Sequence, residues 1–168
     1  FEAVDTSGIH GVADGVAIER IGSARDALEP IARAWSFDAI ESGGIVRFAT
    51  RSGDAAAQLV RDDLIDDEGP LYRLTRAQET DLPQRLKLAY AESGRDYRTA
   101  VVEAQRKDTP SAREIGIELP CTVEQSEAAR RAEIMLQEIW SGRETISFAL
   151  APSRLPLESG DIVALTTN

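Results

Sequence analysis

Hydrophobic and polar positions along the chain alternate in short, differently phased blocks. Residues 1–15 hold few large apolar groups and three glycines, Gly8, Gly11 and Gly15, which predicts an extended lead-in. Residues 15–21 predict a short strand. Ser23 then caps a helix with Asp26 in its first turn and Ala24, Ala27, Leu28, Ile31, Ala32 and Trp35 on one side. Pro30 falls inside that pattern, where it removes a backbone bond, so the helix either kinks there or starts later. Residues 37–40, a glycine-containing turn at 41–44 and residues 45–50 predict a hairpin. Together, residues 16–55 predict a small β-α-β-β unit.

The phase changes after Ser52. Residues 55–60 suggest a helical turn, and Asp62, Asp63, Asp66, Asp67 and Glu68 form an acidic run ending in Gly69-Pro70. This run lacks the alternating ligands and central glycine of a calcium loop, so residues 56–70 are expected to be a solvated linker without a functional metal. From Leu71 onward, alternation predicts strands at 71–77, 84–90 and 113–119. Leu86 and Leu88 share one face, as do Ile115, Ile117 and Leu119. Residues 97–107 read as a long bent strand, with a helix as the rival.

Thr122 and Gln125 have capping-box spacing. Behind them Ala128, Ala132, Met135, Leu136 and Ile139 line one face of a helix over 122–141, with Gly142 suited to a left-handed terminus. That face is expected to pack on a sheet containing strands 113–119 and 143–150. A turn around Ser159, Gly160 and Asp161 leads into a last strand. The class is α+β: mixed, mostly antiparallel strands with two main helices, the small unit at 16–55 joined through 56–70 to a larger β-rich unit at 71–168.

Composition changes this picture little. The 168 residues are 42% hydrophobic and 29% charged, enough for a packed core. No apolar run approaches the ~20 residues of a membrane-spanning helix. The net charge of −10 argues against general nucleic-acid binding and against docking on anionic lipid. The start at Phe1 suggests a piece of a longer protein.

Candidate chemistry is thin. Cys121 is the lone cysteine and His10 the lone histidine, and nothing in the pattern brings them together. Phosphate-loop, nucleophile-elbow and zinc spacings are absent. Trp35 and Trp140 sit at helix ends and are expected in packing. No catalytic, cofactor-binding or metal residue is assigned, and the chain is expected not to be an enzyme.

Several short runs in a fixed order carry a family resemblance. They are SARDALEPIARA at 23–34 with FDAIESGGIVRF at 37–48, and DLP at 81–83 with LKLAY at 86–90 and DY at 96–97. IELP at 117–120, RETISFALAPSR at 143–154 and LESGDIV at 157–163 complete the order. In this order they resemble a domain of the large tail-tip hub proteins of gene transfer agents and related siphophages. The resemblance covers about residues 16–167. It implies a structural role in the baseplate or tail tip, in tail-tip assembly and DNA delivery to the host cell. It also implies other tail or baseplate proteins as partners and a homotrimeric full-length parent. The expected location is the phage-like particle, after synthesis in the bacterial cytoplasm. It implies neither sequence-specific nucleic-acid recognition nor membrane insertion. The alternatives are a receptor- or polysaccharide-binding module of the tail and, behind it, a hydrolase domain.

Overall fold

The computed structural model describes residues 3–18, 21–65, 69–152 and 156–167. Among these, the strands are β1 (Ala3–Gly8), β2 (Gly15–Val16), β3 (Phe37–Ser42), β4 (Ile45–Thr50), β5 (Ala57–Val60) and β6 (Tyr72–Arg76). They continue with β7 (Pro83–Glu92), β8 (Thr99–Gln105), β9 (Arg113–Val123), β10 (Glu144–Phe148) and β11 (Val163–Thr166). The α-helices are α1 (Ala24–Trp35) and α2 (Gln125–Ser141). The class is α+β.

The chain divides into two compact units, each discontinuous in sequence. One combines residues 1–10, 37–76 and 144–168, and the other combines 11–36 and 77–143. These units do not coincide with the expected blocks 16–55, 56–70 and 71–168. Helix α1 belongs to one unit and the hairpin that follows it to the other.

The second unit is a four-stranded sheet, ordered β2-β9-β7-β8, with both helices packed against it. Strand β7 pairs antiparallel with β8 and parallel with β9. Strict alternation explains the layering. Leu86, Leu88 and Tyr90 are buried with Val102, Ala104 and Leu119, while Lys87, Glu103 and Glu114 face solvent. Residues 97–107 thus resolve as a turn and a strand rather than a helix. Helix α2 covers β7 and β8 with Ala128, Ala132, Met135, Leu136 and Trp140, all buried, while Ile139 is half-buried.

Three expectations for this region are corrected. First, Thr122 does not cap α2. It lies in β9, opposite Gly15 and Ala91, and the helix starts after Glu124, whose side chain makes no cap bond. The ladder and the burial of Cys121 and Val123 hold these residues extended. Pro120 is tolerated because β9 bulges there: Glu118 faces Ala89, but the next pair is Thr122 with Ala91. The Pro120 carbonyl still accepts from the Ala17 N–H at 2.8 Å. Second, Gly142 ends α2 at φ −71° with no left-handed turn, its N–H donating to the Glu138 carbonyl. Third, the 143–150 segment does not join the sheet under α2. Its strand β10 pairs with β6 in the other unit.

Helix α1 runs continuously through Pro30. A full capping box offsets the missing bond: the Asp26 N–H donates to Ser23 Oγ at 3.2 Å, and the Ser23 N–H donates to Asp26 Oδ2 at 3.0 Å. Trp35, at its end, is buried beneath the guanidinium of Arg131 from α2, 4.9 Å from the ring centroid. Gly11 lies so close to the indole that no side chain fits there.

The first unit contains the three-stranded sheet β1-β4-β3 and two ribbons, β10-β6 antiparallel and β11-β5 parallel. Phe37, Ile40, Leu59 and Leu64 are its buried apolar side chains, and Phe37 meets Phe48 edge-on at 5.8 Å. The hairpin turn has Gly43 and Gly44 at φ +59° and +81°, the geometry that two-residue turns require. Residues 57–60 form a strand, not a helical turn, so much of the expected linker belongs to this unit. Asp66, Asp67 and Glu68 lie outside the described residues.

Candidate functional site

The groups flagged by residue type do not converge on a reactive centre. Cys121 is buried in β9, and burial pushes its thiol above its ordinary value, which suppresses the nucleophilic thiolate. His10 is exposed and belongs to the first unit, whereas Cys121 belongs to the second. Asp62 and Asp63 occupy a single 3-10 turn, where Asp63 Oδ2 accepts from the Val60 N–H at 2.9 Å and caps that turn. Among the described residues, no three acidic, histidine or cysteine side chains gather as a metal site. Trp140 is also committed: its Nε1 donates to the Pro83 carbonyl at 2.9 Å, and Arg106 stacks on its ring at 4.3 Å.

The solvent face of the second unit's sheet carries a charge ladder. Lys87 Nζ donates to Glu114 Oε2 at 2.7 Å, and Arg85 bridges Glu114 and Glu103 at 3.3 and 3.5 Å. The Lys87 bond holds the Glu114 carboxyl below its ordinary range, and Glu114 raises the Lys87 ammonium in return. Two cations and two anions satisfy one another here. The ladder links neighbouring strands and supports their register.

Two concavities have room for a ligand: one of about 450 Å³ in the first unit, lined by Arg61, Pro70, Leu71, Tyr72 and Thr167, and one at the far end of the second unit's sheet, where more polar side chains converge. Tyr90 and Glu92 close β7 on the helix-covered face, and the chain reverses through a tight turn at 93–97. Asp96 and Tyr97 adopt left-handed φ of 51° and 58° there. The reversal brings Arg95, Arg98, Thr99, Ala100 and Val101 around a concavity of about 340 Å³, which Gln125, the first residue of α2, also lines. Glu92 is buried and its carboxylate lies 3.5 Å from Arg95 Nε. Burial, seconded by the Glu92 charge, raises the Tyr90 phenol, which keeps it a neutral hydroxyl. The arrangement can hold a polar ligand. It contains neither an activated nucleophile nor a free base.

Residue type signalled a turn at 92–96 but not this convergence. Arg98 and Gln125 are 27 positions apart, and only the β9 crossover and the entry of α2 bring them together.

Comparison with known proteins follows the fold. The family described as "Putative phage tail protein" matches residues 23–168. A chain in the virion of a native gene transfer agent particle superimposes with a TM-score of 0.89 at 32% identity, covering 96% of this chain. The 43 kDa tail protein of prophage MuSo2 from Shewanella oneidensis superimposes at TM-score 0.61 and 13% identity over 98% of this chain. The tail protein from Neisseria meningitidis MC58 does so at 0.66 and 12%, also over 98%. At those identities the two tail proteins share the fold alone. The chain spans 37% of the gene transfer agent chain and 51% of each of the other two. No curated protein sequence matches this chain.

Proposed function

The chain belongs to the phage tail protein family, and from that premise we propose that it is a structural domain of a tail-tip hub or baseplate protein. It acts in assembling the tail tip and, through the assembled tip, in delivering DNA to the host cell. Its partners are other tail and baseplate proteins, and it works without catalysis. The likeness to a gene transfer agent virion chain along nearly its whole length carries this reading. The geometry agrees with a load-transmitting role. Lys87, Arg85, Glu103 and Glu114 of the sheet are paired with one another, Trp140 is held by a hydrogen bond and Arg106 stacking, and Trp35 is covered by Arg131.

The test is to delete the coding region for residues 23–168 from the parent gene and image the particles. The expected result is heads and tails that lack a formed tip and deliver no DNA. Particles with complete tips and undiminished DNA transfer would overturn the proposal.

A further inference from the structure

We propose that the concavity at the β7–β8 turn is a docking site for an extended acidic segment of another protein chain, which adds to the free edge of β8 and places one carboxylate beside Arg98, Tyr90 and Thr99. Four observations lead there.

The first is the Tyr90 hydroxyl. Tyr90 is 2% exposed and lines the concavity, yet its hydroxyl has no hydrogen-bond partner among the described residues. The ring is packed away while the hydroxyl stays open to the concavity, so a polar ligand atom entering there would meet a hydroxyl that no protein group engages.

The second is charge. Arg95 is engaged by Glu92, but the guanidinium of Arg98, which lines the same concavity, has no partner among the described residues. The Thr99 hydroxyl and the Gln125 side chain add donors. Gln125 is also the first residue of the 17-residue helix α2, so backbone N–H groups of its first turn border the site, with Glu124 at the cap and Glu127 in the first turn beside them.

The third is the sign and size of the ligand charge. Glu92 stands in the wall, and its negative charge disfavours a doubly charged phosphate more than a single carboxylate. A planar carboxylate also matches the two-pronged guanidinium of Arg98.

The fourth is the edge. Strand β8 is last in the sheet order and pairs only with β7 among the described residues. Three of the concavity's lining residues, Thr99, Ala100 and Val101, are its first three, and Val101 is 60% exposed. An added strand would satisfy the unpaired backbone groups of β8, and its side chains would alternate between the helix-covered face, with Tyr90 and Ala100, and the open face, with Thr99 and Val101. A cavity of about 340 Å³ is far larger than a lone carboxylate needs and suits one carried on a chain.

The site does not depend on where the parent protein sits in a tail, so it is tested on the chain itself. Backbone amide NMR shifts are followed during titration with a blocked pentapeptide, Val-Thr-Glu-Thr-Val, and with its Glu-to-Gln counterpart. Succinate and inorganic phosphate are titrated separately. The expected result is that the glutamate peptide shifts amides of 99–105 and 125–127 and binds at least tenfold more tightly than the glutamine peptide. Arg98→Gln should abolish that preference, and Tyr90→Phe should reduce it several-fold, each with amide shifts elsewhere unchanged. Equal binding of the two peptides, no binding of either, or saturation of the same amides by succinate or phosphate at equal concentration would each overturn the proposal.

Discussion

Asp38 and Arg51 show how a single pair in the first unit is tuned. Arg51 donates to both carboxylate oxygens of Asp38 at 2.8 Å, and this bond holds the carboxyl below its ordinary value of 3.8. A depressed carboxyl contributes stability that is complete above the unfolded value and lost as pH falls through the folded one. The side chains are 53% and 40% exposed, so the contribution is screened. It should be about 1 kcal/mol or less. Denaturant titrations at pH 6 and pH 2.5 should therefore show the parent chain losing more stability than Asp38→Asn across that interval; equal losses would mean the pair contributes nothing. Gly160 in the same unit sits at φ +90°, and a methyl group there would collide with Cδ1 of Ile40. Gly160→Ala should cost about 1–3 kcal/mol, the range for a strained left-handed residue. Gly94→Ala, where a Cβ meets nothing within 4 Å, should stay within about 0.5 kcal/mol in the same chemical denaturation experiment.

Helix α2 is the element on which the second unit's core depends, and its two ends differ. Its face is deeply buried, with Ala128 and Ala132 at 0% exposure and Leu136 at 6%. Leu136→Ala should lower unfolding free energy by about 2–5 kcal/mol, and an unchanged midpoint would show that the face is not packed. The start of the helix is suboptimal. Glu124 occupies the cap position without accepting a bond, while the Thr122 side chain belongs to a strand. Glu124→Ser should stabilise the chain by about 0.5–1 kcal/mol, and Thr122→Ala should show no cap-sized loss attributable to α2. Thermal melts of the two variants distinguish this arrangement from a cap at Thr122. The capping-box spacing at 122–125 was real in the sequence, but it was outweighed. Extending β9 by three residues buries Cys121 and Val123 and completes ladders on both sides, more than a box satisfying two N–H groups contributes.

At the scale of the whole molecule, the net charge of −10 and the share of relatives that this chain spans bear on assembly. Like charge opposes self-association of isolated copies. Closed rings require a self-complementary or head-to-tail patch of roughly 800 Å² per partner. We expect the 168-residue chain alone to be a monomer or weak oligomer at micromolar concentration, and the full-length parent to form a ring, a trimer by our reading. Light scattering on both proteins checks this. A monomeric parent within assembled particles would remove the hub proposal along with the stoichiometry.

The sequence by itself determined what depends on neighbours a few residues apart. The two-residue period of residues 84–90 placed Leu86 and Leu88 in the core, and the 3.6-residue period behind Thr122 picked out four of the five buried residues of α2. The glycine pair at 43–44 dictated the hairpin, and the order of short runs carried the family likeness that residues 23–168 then matched. Tertiary structure decided everything that depends on distant partners. Residues 57–60 became a strand because residues 163–166 offer a parallel ladder, although their local pattern suggested a helical turn. Strand β10 left its sequence neighbour α2 to pair with β6, so the units interleave along the chain. The concavity at the β7–β8 turn was illegible for the same reason. Tyr90, Arg98 and Gln125 have no periodic relation to one another, and only the path of β9 between two turns brings a helix terminus over the end of the sheet. Local periodicity reports which face of an element is apolar; which element covers that face is set by the free energy of burial over the whole chain.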